Sequence, residues 1–189
     1  MSTSIRGWIE IYLPEIEEWA AVTNISLLAK QSYNAYGCLF GVRNYSKFAP
    51  VAEERGVPID ASDVFKSETK GLEHHNSPSW ITFNEIEAID WDESVVDAYV
   101  HVYKRLENGE YATSSAAGYV PDTPFNRQVG DVWVVDGKDT RFYDNGELHK
   151  VERITRKDAL YAFQVVFDIM AILAKQNGSE NVRLVVWFH

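Results

Sequence analysis

The chain has 189 residues, 46% apolar, 13% aromatic and 24% charged, which excludes a disordered, collagenous or fibrous protein and predicts one globular domain over 1–189. Its net charge is −10, and residues 53–110, with 14 acids to 5 bases, hold nine of the ten excess negatives; a surface of that sign repels phosphate backbones, so direct nucleic-acid binding is disfavoured. The single Cys38 excludes an internal disulfide, no apolar run approaches the ~20 residues that span a bilayer, and Met1-Ser2-Thr3-Ser4 lacks the order of a secretory signal, so a cytoplasmic protein is expected.

Arg6 to Leu13 alternates, with Trp8, Glu10 and Tyr12 on one face and Ile9, Ile11 and Leu13 on the other, the pattern of a strand ended by Pro14. The acids Glu15, Glu17 and Glu18, followed by Trp19 and Ala20 and then Leu27 and Leu28, predict a helix after it, with Asn24 as a possible break. Tyr36 to Val42 reads as one or two buried helical turns. From Arg43 to Ser79 the period is lost, apart from a short helix over Ser62–Lys70 closed by Gly71. Thr82-Phe-Asn-Glu85 has capping-box spacing and opens a helix to about Asp90, with Ile86 and Ile89 inward. Tyr99 to Leu106 alternates as a strand, and Asn108-Gly109 signals a tight hairpin, repeated at Asp136-Gly137 and Asn145-Gly146 around the Val132–Val135 strand. Ser114 to Asp131 has no period. Thr155-Arg-Lys-Asp158 caps the longest helix, 156–177, whose Leu160, Phe163, Val166, Phe167, Met170, Leu173 and Ala174 form a broad apolar stripe. Val182 to Phe188 is too rich in β-branched and aromatic residues to be other than an internal strand. The fold class is α+β: a mostly antiparallel twisted sheet with the N- and C-terminal strands central and the long helix packed on one face.

Phe40-Gly-Val-Arg-Asn-Tyr45, Arg55-Gly-Val-Pro58, His75-Asn-Ser-Pro-Ser-Trp-Ile81, Ile89-Asp-Trp-Asp-Glu93 and Val182-Arg-Leu-Val-Val-Trp-Phe188 occur in this order. Together they resemble a family of bacterial, notably actinobacterial, and phage proteins that has no established reaction or ligand. The resemblance implies one full-length domain and a mobile-element accessory role, such as titrating a host factor. His189 departs from it, where an acidic residue is expected.

Candidate chemistry divides by residue type. Cys38 has no neighbouring His or Lys to activate it and reads as a small hydrophobe. His74 and His75 are adjacent and lack the remaining ligands of a zinc set, so no metal or cofactor is expected there. Asp90, Asp92, Glu93 and Asp97 lack the glycine and terminal Glu of a calcium loop. A small hydrolase would need His74, His75 or His101 to converge with Asp90 and Asp92 as acid and base. The more informative pattern is polar residues on apolar strands. Glu10 and Arg183 pair across the ladder if the terminal strands are neighbours, which is either a structural ion pair or one wall of a pocket. In the second reading, Trp8, Glu10, Tyr12, Arg183 and Trp187, joined by Tyr99, His101 and Tyr103 and with Arg43 and Asn44 at the mouth, hold a planar or anionic small molecule. The expected function is non-enzymatic: binding such a ligand, or engaging a basic partner protein through the acidic surface.

Overall fold

The alternation of the first strand is realised as β1 (Ile5–Leu13), and the final apolar run as β9 (Val182–Phe188), paired antiparallel from Ile5 opposite Phe188 to Ile11 opposite Val182. The computed structural model describes residues 3–71, 77–119, 133–134, 140–142 and 147–189, in two compact units, Met1–Trp91 with Arg156–His189, and Asp92–Thr155.

In the first unit a four-stranded antiparallel sheet has the order β2-β1-β9-β3, with β2 at Glu18–Asn24 and β3 at Ser79–Thr82. The terminal strands are central, as their composition predicts. All seven residues of β9 are buried, so its near-continuous apolar run has a packing partner on each face. One face carries Ile5, Ile9, Leu184 and Phe188. Against it lie α1 (Tyr33–Phe40), whose Tyr36 and Phe40 rings stand 5.3 and 5.8 Å from Phe188, and α5 (Gln164–Asn177). The opposite face carries Trp8, Val185, Trp187 and Trp80, and is covered by Val57, Ala61 and the Phe65 of α2 (Asp63–Thr69).

Local signals place the helices. Ser32 caps α1 and Ser62 caps α2, each hydroxyl accepting an amide of the first turn. Gly41 closes α1 in the left-handed region, at φ 75°, and its N–H donates to the carbonyl of Gly37. Gly37 is demanded by a close approach, because a Cβ there would lie 2.6 Å from the Cα of Asn44. The Thr82 signal gives α3 (Phe83–Glu87), shorter than expected but with Ile86 and Ile89 buried. The predicted C-terminal helix is α4 (Arg156–Leu160), a 3₁₀ turn at Tyr161–Phe163, and α5, with Leu160, Phe163, Val166, Phe167 and Met170 inward.

The helix predicted after Pro14 is not formed. Residues 14–17 make a hairpin turn, and Glu18–Asn24 is strand β2, paired with β1. The acids and alanines favour a helix only weakly, and Trp19, Val22 and Thr23 suit a ladder that β1 supplies. The second unit is a five-stranded antiparallel sheet of order β5-β4-β8-β7-β6, with β4 at Ser94–Arg105, β5 at Tyr111–Tyr119, β6 at Trp133–Val134, β7 at Thr140–Phe142 and β8 at Glu147–Thr155. The Asn108-Gly109 hairpin joins β4 to β5, with Gly109 at φ 85° and Leu106 N–H donating to Glu110 O at 2.7 Å. β5 also corrects the reading of Ser114–Tyr119 as aperiodic loop; its run of Ala, Ser and Thr carries no hydrophobic alternation. The turns at Asp136-Gly137 and Asn145-Gly146 lie outside the described residues.

Candidate functional site at the edge of the four-stranded sheet

The site begins with the turn that joins β1 to β2. Ile16 N–H donates to Leu13 O at 3.2 Å with Pro14 second in the turn, where its fixed φ suits the bend, and Glu17 follows at φ 56°, in the left-handed region that non-glycine residues seldom occupy. β2 then pairs Trp19 with Tyr12 and Ala21 with Glu10. Across the face, a turn at Pro58 (Ala61 N–H to Pro58 O, 3.0 Å) sets Asp60 and the capping residue Ser62 above β1 and β9.

These elements meet at Arg183. Glu10 and Arg183 are register partners, fully enclosed at 0% and 3% exposure, and joined at 2.8 Å from Nε to Oε2. The other guanidinium nitrogens reach Asp60: Nη1 donates to Oδ1 at 2.8 Å and Nη2 to the backbone carbonyl at 3.2 Å. The second Glu10 oxygen accepts the N–H of Ser62 at 2.9 Å. Trp19 stacks over the guanidinium at 3.8 Å and donates its indole N–H to Asp60 Oδ2 at 3.0 Å. Burial pushes the Asp60 carboxyl upward, but the hydrogen bonds and charge of Arg183, with help from its own N–H and from Trp19, outweigh it and hold it below the usual carboxylate range. This node fastens the 57–69 segment to the sheet.

Beside the node, an open groove of about 450 Å³ runs between residues 17–21 on one side and residues 60–64 with Lys66 on the other. Glu17, Glu18, Asp60 and Asp63 line it with Lys66; Glu18 stands opposite Leu13, on the other face of β2 from Trp19, and the charge of Arg183 is shared between Glu10 and Asp60. Ala21, on the Trp19 face, keeps its floor low, and Val64 (43% exposed) lines it. Chemically this is a cradle for a cation with an apolar stem. The Ser62 hydroxyl, also on this wall, accepts the Phe65 amide as the cap of α2.

The residues singled out from sequence fall into several places. Trp8, Glu10, Tyr12, Arg183 and Trp187 share one face. Trp8 is half-buried and donates its indole N–H to Glu68 at 2.8 Å; the Tyr12 ring lies 5.6 Å from Trp19; Trp187 is buried against Phe65, with ring centres 5.5 Å apart. Arg43 and Asn44 belong to the α1 side of the sheet. Arg43 donates to the Thr3 and Tyr45 hydroxyls, and Asn44 clamps Phe48 by bonding both its N–H and its carbonyl. Tyr99, His101 and Tyr103 lie on β4 of the second unit, opposite Tyr119, Ala116 and Thr113. His74 and His75 lie outside the described residues. Asp90 and Asp92 are exposed and fall in different units. Among the described residues no three His, Cys, Asp or Glu side chains converge as a metal set, and no helix is long and apolar enough to cross a membrane. Cys38 is buried, with its sulfur 3.2 Å from Arg156 Nη1.

Sequence reasoning missed Glu17, Trp19, Asp60 and Asp63. A signal existed in Pro58-Ile-Asp-Ala-Ser62, a turn running into a helix cap, which places Asp60 at a bend. A second charged cluster is structural: Arg55 forks onto both oxygens of Glu85 at 2.7 and 3.0 Å and lies over Trp80 at 4.9 Å, tying residues 51–55 to β3. No family model, curated protein or solved structure matches the chain, so any functional reading rests on this geometry.

Proposed function

We propose that this chain is a non-enzymatic binding protein that docks a basic segment of a partner protein in the groove beside β2. The observation that carries this is the excess of acidic over basic residues lining an open groove beside the buried Arg183 node. A groove preorganised in this way loses little freedom on binding, and its sign favours a cationic occupant over an anionic one. The net charge of −10 extends the same field beyond the groove and speeds encounter with a basic partner. Capture of a host factor, the role implied by the motif resemblance, is one instance of such binding.

The test is fluorescence anisotropy with labelled eight-residue peptides, one alternating lysine with threonine and one alternating glutamate with threonine. The lysine peptide binds, its affinity falls as salt is raised, and the double variant Glu17→Lys/Asp63→Lys weakens it at least ~10-fold, about 1.4 kcal/mol. Equal binding of both peptides, or a charge-reversed variant that binds as before, overturns the proposal.

A further inference from the structure

We infer that the docked basic segment is extended and adds to the sheet as a fifth strand along β2, with lysine or arginine at alternate positions entering the groove; this rests on the reading above and specifies how the partner is held. Trp19 and Ala21 stand on the face of the Arg183 node while Glu18 and Ala20 point to the other, so a groove lined by all of residues 17–21 borders the backbone of β2, the terminal strand of its sheet, as well as that face. That edge is open. β2 is terminal in the order β2-β1-β9-β3, and among the described residues its ladder partner is β1.

The usual devices that blunt an edge are largely missing from its first half. Glu18–Ala21 contains no proline and no lysine, its one charge is the exposed Glu18, and the bulge that leaves Val22 unopposed begins only beyond Ala21. Four residues of regular edge are thus presented beside a groove with room for side chains. Strand addition uses such a surface: backbone hydrogen bonds supply affinity, and pockets for alternate side chains supply selectivity.

Charge decides the occupant. A second copy of this chain brings no cation to the groove, since Glu18–Ala21 carries only an acid, and the net charge of −10 on each copy opposes their association. A segment with basic residues at i and i+2 brings two cations roughly 7 Å apart onto the groove side, where Asp60 and Asp63 stand across from Glu17.

Backbone N-methylation of the lysine–threonine peptide tests this without altering the protein. One derivative carries methyl groups on the lysine amides, the other on the threonine amides, and both keep the charge. Only alternate amides of an added strand point at its neighbour. One derivative therefore binds at least tenfold more weakly than the parent while the other stays within twofold. If the parent binds and both derivatives match it, or both lose equally, strand addition is wrong and charge docking stands. If the parent peptide does not bind at all, both readings fall.

Discussion

Replacing Arg183 with alanine isolates the energetics of the node. The Glu10 carboxylate is fully enclosed, with Arg183 Nε at 2.8 Å and the Ser62 N–H at 2.9 Å. Removing the arginine leaves a desolvated charge with one neutral donor, and breaking a buried pair from one side costs about 3–5 kcal/mol. Domain stabilities are roughly 5–15 kcal/mol, so this one change removes a large share. Asp60 and Trp19 also lose their shared partner. The double variant Glu10→Leu/Arg183→Met removes both charges and keeps the volume. It recovers most of the loss but not all, because the two bonds to Asp60 are gone, each ~0.5–1.5 kcal/mol. Urea unfolding at pH 7, followed by tryptophan fluorescence and by far-ultraviolet circular dichroism, gives the three stabilities. A single variant losing under ~1 kcal/mol, or a double variant no better than the single, would refute the claim that Arg183 offsets the burial of the Glu10 side chain.

Trp187→Ala empties the space between Phe65 and Val185 and is expected to cost ~3–5 kcal/mol by the same assay; a loss under ~1 would mean that α2 does not pack there. Gly7→Ala drives a Cβ to within 2.1 Å of the Val185 carbonyl on the facing strand, so thermal unfolding should show a loss of ~1–3 kcal/mol, and an unchanged midpoint contradicts the close approach. Burial would raise the Glu85 carboxyl, but the hydrogen bonds from Arg55 and Thr82 and the charge of Arg55 hold it at about 2, against 4.5 unfolded. Its folded value is lowered, so its contribution is complete above pH 4.5 and is lost as pH falls toward 2. With a third of the side chain exposed, that loss is on the order of 1–2 kcal/mol. Glu85→Gln should therefore differ from the parent most above pH 4.5 and converge with it below; a constant difference counts against this.

The central ladder was legible because its two strands carry unambiguous signals: strict alternation in β1, and an apolar run in β9 dense enough to require cover on both faces. Once both lie side by side in one antiparallel sheet, Glu10 can oppose Arg183, and the register that sets Ile5 opposite Phe188 makes them partners. The third and fourth members of the node were not legible. Asp60 reaches Arg183 because a segment fifty residues downstream of β1 folds across the sheet, and no local spacing encodes that. Trp19 was misplaced for a different reason. Glu15 to Ala21 has the acids and alanines of a first helical turn, whereas the strand that forms there is stabilised by a neighbour, not by itself. The 3₁₀ turn at Tyr161–Phe163 was hidden in the same way, since a stripe of core residues continues through it with little change of period.

Backbone amide shifts of the nitrogen-15-labelled chain, titrated with the lysine–threonine peptide, test the binding account most directly. The largest shifts are predicted at residues 17–21 and 60–66, saturating together and fading at ~1 M salt, where screening shortens to about 3 Å. Shifts that gather instead on the exposed Tyr161, Val165 and Ile172, or that are indifferent to salt, would contradict it.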